Sequence, residues 1–131
     1  MIDCENEVYT KVATALRAEF SGINISGEYQ NTPSAFPHVC FTQSDNAVVK
    51  RYTDDNHEMA HVMFEVNVYS NKASGKKTEC KKIMKSIDAV MFSINFRRTA
   101  LTPVPNMENA SIYRLTARYE GLSDGKFFYR S

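Results

Sequence analysis

Between His61 and Ile94 the chain divides into three blocks of different periodicity. Val62, Phe64, Val66 and Val68 alternate with His61, Glu65, Asn67 and Tyr69, the two-residue period of a strand with one buried face. The polar connector Ser70-Asn71-Lys72-Ala73-Ser74-Gly75-Lys76-Lys77 follows. Cys80, Ile83, Ile87, Val90 and Ile94 then recur at three- and four-residue steps, which predicts a helix with one apolar stripe.

The flanking segments carry weaker patterns. Val8, Val12 and Leu16 form a helical stripe beside Tyr9, Ala13 and Phe20. Asp3 is placed to cap that helix, Glu5 and Glu7 suit its first turn, and Gly22 is a natural stop. A helix over roughly residues 3–20 is therefore expected. Ile23 and Ile25 open a short extended segment, and Pro33 and Pro37 mark a loop. Val39 and Phe41 alternate with His38 and Cys40 in a strand. Gln43 to Asn56 is polar and poorly patterned, and reads as a long loop or loose hairpin anchored only by Val48, Val49 and Tyr52. Arg97 to Thr102 is a short strand closed by Pro103-Val104-Pro105-Asn106. Tyr113, Leu115, Ala117 and Tyr119 alternate with Arg114, Thr116, Arg118 and Glu120, and the Asp124-Gly125 turn returns the chain through Phe127 to Arg130. The expectation is an α+β fold over residues 1–131 as a single domain. It has a mostly antiparallel sheet of about four to five strands, with two main helices packed on one face.

Composition narrows the function classes. A net charge of +1, with acids and bases interspersed, supports neither a general nucleic-acid polycation nor a membrane-surface protein. No apolar run approaches the ~20 residues that span a bilayer, and the first residues lack the pattern of a signal peptide. Cys4, Cys40 and Cys80 are odd in number and widely spaced, as expected of free thiols in a reducing cytoplasm. Trp is absent, while 7 Tyr and 8 Phe must fill either a core or an interface. Tyr52, Tyr69, Tyr113, Tyr119, Phe127, Phe128 and Tyr129 are more than one modest sheet is expected to cover.

Two motifs invite catalytic readings. His57-Glu58-Met59-Ala60-His61 is a literal H-E-x-x-H, the zinc-binding spacing of a helical metalloprotease. The chemistry needs a helix, whereas His61 leads into a strand, on which residues four apart are separated by ~13 Å. Ser70 to Thr78 resembles a phosphate-binding loop, but Ser70 stands where the first glycine belongs and Lys77 where the magnesium-binding hydroxyl belongs. A solvated connector is the expectation there; Lys76 and Lys77 stand near a helix start, where the dipole disfavours cations, and either face an acidic partner or are simply exposed. His38 and Cys40 share a strand face, with His61 a candidate neighbour, yet a structural cysteine is expected. Arg97, Arg98, Arg114 and Arg118 suggest a basic strip that meets either phosphate or a neighbouring subunit's acids, and the net charge favours the second.

Several segments together carry a family resemblance: Ser26-Gly27-Glu28-Tyr29, Pro33-Ser34-Ala35-Phe36-Pro37, Val68-Tyr69-Ser70-Asn71-Lys72 with Gly75-Lys76-Lys77, Pro103-Val104-Pro105-Asn106, and Ile112-Tyr113-Arg114 through Ala117-Arg118-Tyr119. In collinear order they resemble the tail-terminator or tail-completion proteins of long-tailed phages and prophages of Gram-positive bacteria. The resemblance implies an α+β structural protein of the virion that is not an enzyme. Such proteins form a hexameric ring at the head-proximal end of the tail tube. The ring ends tube growth and joins the tail to the head connector. It also implies partners: further copies of the chain, the tail-tube protein and the head–tail connector protein, with DNA only passing through the lumen and no membrane. No cofactor, metal or catalytic residue is carried over. Assembly takes place in the host cytoplasm. The residues expected at subunit contacts are Tyr52, Arg97, Arg98, Arg114 and Arg118, together with the 43–60 segment. Alternatives are a head–tail connector or neck protein and, from a different class, a zinc peptidase acting through His57 and His61.

Overall fold

The computed structural model of the chain describes residues 1–28, 33, 35–51, 58–105 and 111–130. Helix α1 (Glu5–Glu19) precedes strands β1 (Asn24–Ser26), β2 (His38–Arg51) and β3 (Glu58–Ser70). Helix α2 (Lys76–Ser93) leads into β4 (Arg97–Pro105), β5 (Tyr113–Ser123) and β6 (Phe128–Tyr129). The six strands form one sheet in the order β1-β2-β3-β5-β4, with β6 also paired to β5. All pairings are antiparallel except the short β1–β2 contact. The fold is α+β, as expected, with the short β1 and β6 added to the four longer strands.

Each helix contributes the face its sequence marks. Val8, Val12, Ala13 and Leu16 of α1 are buried, and α2 buries Cys80, Ile83, Met84, Ile87 and Met91. Apart from Ala13, these side chains pack with Val39, Phe41, Phe64, Val66, Val68, Leu115, Ala117 and Tyr119 from the sheet in one core cluster. Each large aliphatic side chain so buried is worth ~1.5–3 kcal/mol relative to exposure. Val90 and Ile94, expected on the α2 stripe, lie only at its margin, where Met84 and Met91 take the buried positions. Cys4, not Asp3, is the residue at the N-cap of α1, and Asp3 reaches only the Glu5 amide through a long 3.4 Å contact.

Three sequence expectations are corrected. Of the two expectations for Gln43 to Arg51, the loop fails and the hairpin holds: β2 runs through it and pairs with β3 from His38↔Tyr69 to Arg51↔Glu58. Register shifts between Gln43 and Asp45, and between Val48 and Lys50, break the two-residue alternation there. Val48 and Val49 are 48% and 56% exposed, so neither is an anchor, and Tyr52 lies outside the described residues. Pro103 and Pro105 do not close β4 but belong to it. They are tolerated because β4 pairs only with β5, and its outer edge needs no amide donor. The aromatic excess is smaller than expected. Tyr69 and Tyr119 are fully buried and Tyr113 and Phe128 half-buried, which leaves Phe127 and Tyr129 exposed.

Gly121 is a position where the core leaves little room for a side chain. A Cβ there would stand 3.1 Å from the Phe96 ring, which packs flat against the strand and then edges onto Phe64.

Candidate functional site on the open face of the sheet

The helices cover one face of the sheet, and strand alternation sends the intervening side chains to the other. On β3 these are His61, Met63, Glu65, Asn67 and Tyr69, and the face is open only toward the His61 end, since Asn67 is buried and Tyr69 packs with Cys40 and Ile112 in a second small cluster. On β5, directly opposite or one pair removed, are Arg114, Thr116, Arg118 and Glu120. The cross-strand register therefore builds a ladder of polar contacts. The Arg114 Nε–H donates to Asn67 Oδ1 at 2.9 Å, and the Thr116 hydroxyl donates to the same oxygen at 2.6 Å. The Arg114 guanidinium also stands 5.7 Å from the centre of the Tyr69 ring. Arg118 meets Glu65 at 3.5 Å, and Glu120 takes both His61 Nε2 at 3.2 Å and the Arg97 guanidinium. Exposed pairs of this kind contribute only ~0–1 kcal/mol each. Their effect is to fix where the charged groups stand. Asn67 is 1% exposed, and its Nδ2 finds no partner among the described residues.

Three of the predicted interface arginines, Arg97, Arg114 and Arg118, lie on this open face. Arg98 does not. Neighbours in a strand point to opposite sides, so Arg98 turns toward α2, where its Nη1 donates to Asp88 Oδ1 at 3.3 Å. Asp88 in turn accepts the buried Tyr119 hydroxyl at 3.1 Å. The strip is also not purely basic, because Glu65 and Glu120 are interleaved with it.

The catalytic motifs resolve as follows. Glu58 to His61 is extended, the first residues of β3, and the His61 imidazole is engaged by Glu120; His57 lies outside the described residues. Among the described residues, no group of three or more His, Cys, Asp or Glu side chains is arranged to hold a metal ion. At the phosphate-loop lookalike, Ser70 donates to Glu79 Oε1 at 2.6 Å and so ties the connector to the first turn of α2. β3 is antiparallel to both neighbours, unlike the sheet on which such loops sit. Lys76 donates to the Ser111 carbonyl at 3.2 Å.

His38 and Cys40 do share a face, but Ser26 of β1 stands between them. Its Oγ is 3.1 Å from His38 Nε2, 3.7 Å from Cys40 Sγ and 2.9 Å from the Glu28 carbonyl, to which it donates. Burial holds the His38 imidazole below its ordinary pKa, which favours the neutral ring. Cys40 is fully buried and presents no nucleophile to a substrate. His61 is not its neighbour. Cys40 pairs with Asn67, six residues along β3, a separation of ~20 Å.

Sequence patterning singled out Phe127 and Tyr129 as surplus aromatics but missed Phe92 and its contact with Arg130. Phe92, at the end of α2, is 60% exposed, and Arg130 stacks over its ring at 4.3 Å. Phe127 (62% exposed), just before β6, and Tyr129 (42%), within it, point to the side opposite Phe128, whose carbonyl accepts from the Asn95 side chain at 2.8 Å. The signal available was Phe92 itself, an aromatic residue on the polar side of the α2 wheel. No helix among the described residues is long and apolar enough to cross a membrane. No protein-family model matches the chain, and no curated protein matches it significantly.

Proposed function

We propose that the chain is a structural subunit of a phage tail, a tail terminator that assembles as a ring on the head-proximal end of the tail tube. The observation that carries this reading is the set of exposed aromatic side chains, Phe127 and Tyr129 beside β6 and, separately, Phe92 under the Arg130 guanidinium. Aromatic and arginine side chains are the groups that protein interfaces favour. The open sheet face, with its fixed charges on Arg97, Arg114 and Arg118, offers a second and unlike surface. Closed rings require two such unlike surfaces on each subunit. The segment resemblances supply the identity of the ring, and the chemistry expected of it is contact and shape. A neck protein at the head–tail joint is the alternative within the same class.

The test mixes the purified chain with tail tubes polymerised from the tube protein and views them by electron microscopy. The expected result is a ring-shaped density at one end of each tube, with elongation blocked there. Density along the tube wall, or binding to the connector protein but not to tubes, would contradict the terminator reading.

A further inference from the structure

Helix α2 carries its positive charge on one side. Lys77, Lys81 and Lys85 follow one another at four-residue steps, and Lys82 stands beside them, all exposed. None of the four has a carboxylate partner among the described residues, and like charges at this spacing repel one another along a helix. The whole chain is nearly neutral at +1, so this concentration is local. Beside the ridge, between α2 and the edge strand β4, opens an apolar slot of about 150 Å³. Met84, Leu101 and Leu115 line it, and Lys81, Lys85 and Arg98 rim it. Met84 and Leu115 form a buried floor, while Leu101 is 40% exposed at the side.

We infer that this slot is a docking site for an acidic segment of a partner protein, one that inserts a single aliphatic side chain between flanking carboxylates. The slot's volume fits one such side chain. Lys81 and Lys85, which have no carboxylate partner among the described residues, are the complement of carboxylates on either side of the anchor, while Arg98 is already paired with Asp88. A nucleic acid would meet the lysines but has no aliphatic group to fill the slot, and a lipid surface needs a broader apolar face than one side-chain cavity. Pro103 and Pro105 remove amide donors from β4, so the segment is held by its side chains rather than as an added strand. The inference is independent of the reading of the chain as a tail protein.

The test uses the full chain and two fluorescein-labelled peptides, Asp-Glu-Leu-Glu-Asp and the same peptide with Ala for Leu, followed by anisotropy at low salt. The Leu peptide is expected to bind about tenfold tighter, because only it buries an anchor. Lys81→Glu with Lys85→Glu is expected to abolish binding of both peptides. Leu101→Asp, at a side chain already part-exposed, is expected to reduce the Leu peptide to the Ala level or below. Unchanged thermal melting of these variants shows that folding is not the cause. Equal affinity for the two peptides, displacement of the Leu peptide by a short single-stranded DNA at equal charge, or no binding at about 1 mM peptide would each overturn the inference.

Discussion

Arg114 and Leu115 are consecutive in β5 and stand in opposite environments. Leu115 is 3% exposed in the core under α2, while Arg114 donates to Asn67 Oδ1 at 2.9 Å on the open face. Leu115→Asp is therefore expected to unfold the domain, because an unpaired buried charge costs several kcal/mol of the ~5–15 that a domain possesses. Arg114→Asp is expected to fold, with a loss of about 1–2 kcal/mol for the charge-assisted hydrogen bond. Thermal melting of the two variants checks the order, and the reverse order would mean that the strand register is wrong by one residue.

The approach of Phe96 to Gly121 makes a sharper packing prediction. A methyl group at 121 would press on the ring at 3.1 Å, with Phe64 behind it. Gly121→Ala is expected to cost about 1–3 kcal/mol, and the pair Gly121→Ala with Phe96→Leu to recover part of that loss. Additive losses in urea unfolding would show that the two positions do not share this contact.

Two buried thiols set the alkaline limit of stability. Burial pushes Cys4 from the ordinary 9.0 up to about 11, with Glu7 and Asp3 adding to the rise, and burial pushes Cys80 up to about 12. Between pH 9 and these values the folded chain holds protons that the unfolded chain has lost. Stability is therefore complete below pH 9 and falls as pH rises, by about 1.4 kcal/mol per pH unit for each thiol. Burial, with the Asp88 carboxylate next to it, raises the Tyr119 phenol as well, which extends the loss to higher pH. Urea titrations at pH 8 and pH 10.5 are expected to differ by about 2–4 kcal/mol, and Cys4→Ser with Cys80→Ala to shrink that difference. An unchanged pH profile in the double variant would remove the thiols as its cause.

The H-E-x-x-H motif makes an equally direct prediction. His61 sits within an extended strand with its Nε2 at 3.2 Å from Glu120, so its imidazole is already engaged and does not lie on the helix that the zinc motif requires. The purified protein is expected to carry no stoichiometric zinc. Elemental analysis that finds one tightly held zinc per chain, lost on His57→Ala, would restore the peptidase alternative.

Legibility followed burial. Where one face of an element is buried, as in Val62 to Val68 or Val8 to Leu16, the sequence period marked both the element and its orientation. Where a strand is bulged and largely exposed on both sides, as from Ser44 to Val49, the period vanished and the strand read as a loop or a loose hairpin. The prolines of β4 misled because their exclusion from sheets does not hold at an edge. Arg114 and Arg118 were placed on one face by alternation, whereas adding the Arg97-Arg98 pair to them ignored the rule that consecutive residues of a strand face opposite ways, and only Arg97 joins that face. The Arg114–Asn67–Thr116 network, the Phe92–Arg130 stack and the lysine-rimmed slot depend on which strands and helices are neighbours, which no local pattern encodes.

The central claim is that the chain ends tail growth. Deleting its gene from a phage or inducible prophage that carries it, then measuring tail lengths in the lysate by electron microscopy, tests that claim most directly. The account predicts tails of uncontrolled length, or tails that never join heads, with normal length and joining restored by the intact gene supplied in trans. Infectious particles with tails of ordinary, uniform length from the deletion strain would contradict it.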